Sequence, residues 1–195
     1  MGIESARTGK FLYHLTRLSN LTSIVSDGLL PRKTLLDNRV NFGDVADRVI
    51  ISERVQLGLD IYTPFHFHPY SAFDVAVKNT YARCKFIYIC IQRDFARNNN
   101  FKILAKHPLS IDECELHDYD YGFEQIDWDT LMEKGRVDNY AKQVKMAECL
   151  TDLPIPAQYF TQIAVKDEEV QEEVEEILSR AGLSHPPYVN TQPWF

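Results

Sequence analysis

Glu148 stands in the run Met146-Ala147-Glu148-Cys149-Leu150, a carboxylate among apolar neighbours. Burying a carboxylate unpaired costs on the order of several kcal/mol, so a chain that places one there has a partner or a task for it. Three tasks are open: stabilising a cationic transition state, acting as a general base, or forming a structural ion pair with Arg or Lys. Near the other end, Phe11-Leu12-Tyr13-His14-Leu15-Thr16 alternates with the period of a strand and sets His14 and Thr16 on one face. His66-Phe67-His68 offers two imidazoles from one strand face, but Cys84, Cys90, His107, Cys114 and His117 complete no metal-ligand spacing, and the reading is no metal. Cys149 has no sequence-paired histidine to make it a nucleophile.

These residues need elements to hold them. Ser19–Gly28 reads as a short helix, with Ser19 or Asn20 as cap, Leu21, Ile24 and Val25 on one face and Gly28 at its end. Residues 32–60 read as a long loop with one helical turn near Asp44–Arg48, and a loop of that length in a compact domain is usually functional. Strands are predicted over Ile61–Phe67, Lys85–Ile91, Phe101–Leu104 and Tyr159–Val165, and a helix over Ser71–Tyr81. Residues 110–140 are acidic and aromatic with low periodicity. Asp167–Arg180 is an amphipathic helix with Val170, Val174, Ile177 and Leu178 on one stripe, and 186–195 reads as irregular. Strands and helices mix without strict alternation, so the fold class is α+β, in a single domain over residues 1–195. No phosphate-binding glycine loop is present.

A chain of 195 residues, 45% hydrophobic and 12% aromatic, can bury a real core. With no membrane-spanning run and no signal-type segment, we expect a cytoplasmic protein without membrane attachment, its four cysteines reduced. The net charge of −7 argues against nucleic acid, but residues 1–109 hold 15 Lys/Arg against 9 Asp/Glu, while residues 110–195 hold 6 against 19. Within Tyr81–Lys106, Arg83, Lys85, Arg93, Arg97, Lys102 and Lys106 interleave with Tyr81, Phe86, Tyr88, Phe95 and Phe101, a pattern compatible with a single strand stacking on rings beside cations. A solvated face on an ordinary strand is the plain alternative.

In order and spacing, Tyr13-His14-Leu15-Thr16 with Asn20-Leu21, Ile24-Val25-Ser26-Asp27-Gly28-Leu29, Thr63-Pro64-Phe65-His66-Phe67, and Met146-Ala147-Glu148 followed by Ile163-Ala164-Val165 resemble the DarT family of DNA ADP-ribosyltransferase toxins. The resemblance runs from about Phe11 to Val165. It implies an ADP-ribosyltransferase-like fold with central split or mixed β-sheets flanked by helices, and NAD as co-substrate. It further implies transfer of ADP-ribose to a base in single-stranded DNA and an antitoxin partner, a macrodomain or similar, that removes ADP-ribose; we expect a monomer. By the same resemblance His14, Thr16 and Gly28 hold NAD, Tyr81 stacks on nicotinamide, and Arg48 contacts the NAD phosphates and the target base, with Arg54 and Arg39 close by in the chain. Glu148 would stabilise the cation left as nicotinamide departs. Residues 110–140 would form the substrate-recognition loop, with Tyr119, Tyr121, Lys145 and Met146 toward the DNA. Met146 stands where many protein-modifying transferases carry Gln or Glu, and a thioether suits packing on a planar base. The thymine-modifying branch continues its central strand Phe-Ala-Pro-Arg-Ser-Pro-Met, whereas here His66-Phe67-His68-Pro69-Tyr70 lacks that arginine. Tyr119–Phe123 and the Ala-Glu-Cys-Leu ending look closer to the guanine-modifying branch, so guanine is the favoured base and thymine the next. A transferase acting on RNA or protein, and a non-catalytic binding module, are the alternatives.

Overall fold

Alternation along two neighbouring strands divides the core between two faces. In the computed structural model, which describes residues 3–45, 48–69, 71–107 and 115–195, β1 (Phe11–Arg17) pairs antiparallel with β3 (Phe86–Gln92) from Phe11↔Gln92 to Arg17↔Phe86. Leu12, Ile87, Ile89 and Ile91 face one cluster, and Tyr13, Leu15, Phe86, Tyr88 and Cys90 the other, as a period of two requires. Burial on both sides explains the nearly unbroken apolar run of β3.

One eight-stranded mixed sheet carries the fold, in the order β5-β4-β6-β2-β1-β3-β7-β8. The remaining strands are β2 (Thr63–His66), β4 (Lys102–Leu104), β5 (His117–Asp118), β6 (Glu148–Thr151), β7 (Gln162–Val165) and β8 (Tyr188–Thr191). Its two halves meet at β1 and β2, where Tyr13↔His66 is the registered pair. Beyond that pair the strands part, and a cleft opens between them.

The helices are α1 (Leu21–Asp27), α2 (Arg32–Asp37), α3 (Arg48–Gln56), α4 (Ala72–Thr80), α5 (Arg93–Asn98), α6 (Tyr119–Gln125), α7 (Trp128–Met132), α8 (Asn139–Val144) and α9 (Glu168–Ala181). Asp167 caps α9 through Val170 N–H at 3.0 Å, and Gly182 ends it in the left-handed region at φ 63°. Val170, Val174 and Leu178 bury its stripe. None of these helices is long and apolar enough to cross a membrane.

Three stretches differ from the sequence expectation. The predicted loop over 32–60 holds α2 and α3, both nearly invisible to periodicity because α2 buries no side chain and α3 has only a weak apolar stripe. The stretch 110–140 is helical over much of its described part: α6 and α7 sink Tyr119, Trp128 and Leu131 into the core, while residues 110–114 lie outside the described residues. The predicted irregular tail contributes β8, which pairs parallel with β7 after the α9 crossover and buries Val189 alone of its four residues. Pairing, rather than residue preference, makes that strand.

The basic aromatic stretch proves structural. Phe86, Tyr88 and Phe101 are core residues, so they offer no stacking platform. Arg93 is buried and donates to the carbonyls of Ala6, Arg7, Phe11 and Phe67, stitching the N-terminal segment to the sheet. Lys85 joins Glu169 and Glu173 of α9, Arg97 joins Asp120, and Lys102 joins Asp118. Three cations of the basic stretch are thus paired with acids of the later half.

Gly122 lets α6 lie directly on β4: a Cβ there would sit 2.5 Å from Ile103 Cβ and 2.9 Å from His117 Cβ. Gly122→Ala is therefore expected to cost about 2 kcal/mol through overpacking, read as a lowered urea midpoint at unchanged slope.

Candidate active site

The cleft between β1 and β2 widens into a cavity whose floor is the start of β6. Glu148, 5% exposed, sits there in register with His66 of β2 and Leu104 of β4. Arg54 Nη1 donates to both carboxylate oxygens, at 2.8 and 3.0 Å. Burial raises the Glu148 pKa, but Arg54, His66 and His107 outweigh it and leave the carboxyl below its ordinary value, hence ionised at neutral pH. Arg54 comes from α3, whose Ile50 and Ile51 line the same cavity; the spacing of three and four places all three on one helix face. That spacing was the available sequence signal for Arg54. Arg48 opens α3 and its side chain lies outside the described residues, so the guanidinium found on Glu148 is Arg54's.

His14 spans the parting of the sheet. Its Nδ1 lies 2.8 Å from the Pro64 carbonyl, which can only accept, so Nδ1 carries the hydrogen and Nε2 keeps its lone pair. Burial penalises the imidazolium and lowers the His14 pKa, fixing this neutral tautomer at neutral pH. The cavity wall therefore offers an acceptor nitrogen to an N–H donor.

Thr16 lies on the same face, and its hydroxyl accepts from Asn20 Nδ2 at 3.1 Å. Asn20 stands at the N-cap position of α1, as expected, but its side chain makes no capping bond. Its amide instead grips the backbone of Gly43, accepting from N at 2.7 Å and donating to O at 3.2 Å. A Cβ there would lie 2.7 Å from Arg17 Cδ, so a larger residue would require the Arg17 side chain to shift. Arg32 holds Asp44 at 2.8 Å and Arg17 donates to the Asp44 carbonyl, so the segment before α3 is fastened along the cavity rim. Gly28 also lines the cavity; its φ of 87° and the 3.1 Å from its Cβ position to Ile155 O tie the end of α1 to the Leu29↔Ile155 bridge.

The other expected site residues divide. Met146 lines the cavity beside Glu148. Tyr81 does not; Arg17 stacks on its ring at 4.3 Å, and the aromatic rings in the wall are those of Phe42, Tyr62 and Phe73. Tyr119 is buried and stacks on Phe123, while Tyr121 is 61% exposed with its ring against His117, and neither lines the cavity. The Lys145 ammonium is occupied by the carbonyls of Glu133 and Arg136 at 2.6 and 2.7 Å. The sequence reading held Arg54 only as a neighbour of Arg48 and did not single out Asn20, Phe73, Asp74 or His107 as site residues; all five line the cavity.

An ionised carboxylate fixed in a cleft beside a neutral histidine suits chemistry in which positive charge develops on a bound molecule, the class to which glycosyl transfer belongs. The chain belongs to the DarT family, described as ssDNA thymidine ADP-ribosyltransferase, whose family model matches residues 13–195. It is similar in structure to Thermus sp. 2.9 DarT in complex with ADP-ribosylated ssDNA, at TM-score 0.80 and 20% identity, over 95% of this chain and 96% of that one. The same Thermus protein in complex with NAD+ gives TM-score 0.77 at 20% identity, over 95% and 97%. Thermosipho africanus DarTG in complex with ADP-ribose gives TM-score 0.73 at 19% identity, and there this chain spans 50% of the other's length. No curated protein matches in sequence.

Burial lowers the pKa values of His14, His68 and His107 below 6.5. The unfolded chain then binds more protons than the folded one, so their stabilisation is complete above about pH 6.5 and is lost as pH falls below it. We expect the urea midpoint to drop between pH 7.5 and 5, with His68→Gln flattening that dependence; an unchanged slope in the variant contradicts the assignment.

Proposed function

We propose that this chain transfers ADP-ribose from NAD to a base in single-stranded DNA, guanine before thymine, and releases nicotinamide. As one domain it would act as the toxin of a pair whose antitoxin removes ADP-ribose, in the cytoplasm where DNA is within reach. The observation that carries the reading is the buried, ionised Glu148 under Arg54 in the cleft that His14 and Thr16 line.

The residues fit the co-substrate. His14 Nε2 and the neighbouring Thr16 would receive the nicotinamide end, with Phe73 of α4 as one of the rings in the wall and Gly28 adding no side chain to it. Glu148 would take a ribose hydroxyl and lower the energy of the cation that forms as the nicotinamide bond stretches. Arg54 would hold the carboxylate in one place, so that no reorganisation is needed at the moment of reaction. Arg48 is retained for the NAD phosphates. Met146, beside Glu148, offers a thioether to a planar acceptor.

Asp74 supports guanine. Its side chain is wholly buried and lines the cavity; Oδ2 accepts from Ser71 N–H at 2.8 Å, while Oδ1 accepts no hydrogen bond. Guanine presents adjacent N1–H and amino N–H donors, whereas thymine presents one N–H between two carbonyls that a carboxylate would repel. The Tyr119–Phe123 segment adds no support, because α6 packs into the core and away from the cavity.

Labelled NAD incubated with single-stranded oligonucleotides of one base type each should label those containing guanine; label on protein alone overturns the proposal. Glu148→Ala should lower transfer at least about 100-fold, the scale of one lost electrostatic group, with a native melting profile. Arg54→Ala should lower kcat, and Arg48→Ala should raise the KM for NAD; the reverse result exchanges their roles. Asp74→Asn keeps an oxygen for the helix cap and should erode the preference for guanine over thymine.

A further inference from the structure

We propose that His66 is the base that removes the proton from the acceptor nitrogen, an inference that rests on the proposed transfer to a nucleobase. Guanine N1, the guanine amino group and thymine N3 each carry a hydrogen that must leave if a neutral base is to result; guanine N7 carries none, and joining through it would leave a cationic base. When the nicotinamide C–N bond breaks, its electron pair leaves with nicotinamide and the positive charge stays at the ribose carbon. The acceptor nitrogen then gives its lone pair to that carbon, and its N–H proton must go to another group for a neutral base to remain.

Two titratable side chains of the cavity carry an acceptor atom with no hydrogen-bond partner among the described residues, Asp74 at Oδ1 and His66 at Nδ1, and of the two His66 is the one in register with Glu148. His66 is 7% exposed and lines the cavity, and its buried Nδ1 has no hydrogen-bond partner among the described residues. A polar atom left so costs free energy unless a ligand uses it. The antiparallel register places His66 directly opposite Glu148, so both side chains leave the sheet on one face with Cβ atoms about 5 Å apart. A base reaching the carbon that Glu148 attends is therefore within reach of His66.

The competing groups have other work. His14 has given its Nδ1–H to Pro64, Arg54 is a cation held on Glu148, and both nitrogens of His68 face carbonyls, of Pro69 and Lys145. The charged and titratable groups around His66 are Glu148 of β6, Arg54 of α3, His14 of β1, His68 beyond β2, His107 after β4 and Asp74 of α4. The carboxylates of Glu148 and Asp74 would ease the transient imidazolium, whose proton then passes to water through the cavity mouth.

The test separates bond breaking from proton removal. Exchange of labelled nicotinamide into NAD breaks and remakes the same C–N bond with no proton transfer from an acceptor. In His66→Asn and His66→Gln, transfer to a guanine oligonucleotide should fall about 100-fold or more, the scale of a general base, while exchange stays within about threefold. Equal loss of exchange and transfer overturns the proposal, as does unchanged transfer. Should both variants melt early, His66→Ala with added imidazole decides: restored transfer supports the base, and no restoration at unchanged exchange overturns it. A wild-type protein that exchanges nicotinamide yet labels no nucleic acid removes the acceptor reading itself.

Discussion

The parting of β1 and β2 is the constraint on which the rest of the structure depends. Two adjacent strands in one sheet would normally satisfy each other along their length, and a cleft between them leaves backbone groups exposed. Here the joint is reduced to the Tyr13↔His66 pair, and a side chain takes over where the ladder stops, with His14 donating to the Pro64 carbonyl. One contact thus closes the gap in hydrogen bonding, fixes the tautomer of His14 and turns its free nitrogen toward the cavity. The cavity at that parting reaches the first residue of β6, a charged group at a buried position otherwise typical of core residues.

A buried ion pair is poor evidence of stabilisation, because desolvating both partners offsets their attraction. Arg54 and Glu148 make more sense as an arrangement that keeps one carboxylate charged and still. Around them the cavity mixes apolar side chains with orphaned polar atoms, and that mixture is how binding sites differ from cores. The rim is set by side chains reading backbone, as Asn20 reads Gly43 and Arg17 reads Asp44.

Much of this was legible in the sequence, for unequal reasons. Glu148, His14 and Thr16 stood out because a carboxylate in an apolar run and polar residues in strand register contradict their surroundings. The strands Phe86–Gln92 and Phe11–Arg17 and the helix Glu168–Ala181 carried strong periodicity, which is a local property. Arg54 was harder, since its helix has almost no amphipathic signature and its role exists only once β6 lies beneath it. The acidic, aromatic stretch before Glu148 misled because composition does not report burial: Tyr119 and Trp128 are core residues. Asn20 misled because its type suits a helix cap, and only the return of the chain at Gly43 gives it another partner.

The pairing of Lys85, Arg97 and Lys102 with acids of the later half bears on how this protein would meet DNA. A protein holds a phosphate backbone largely by releasing condensed counterions, and it releases them only with cations not already spoken for. Lys85, Arg97 and Lys102 are each matched within the fold, and the whole carries a charge of −7. Those three cations have less charge to offer a phosphate backbone, which shifts the weight of recognition toward how well a single exposed base fills the cleft.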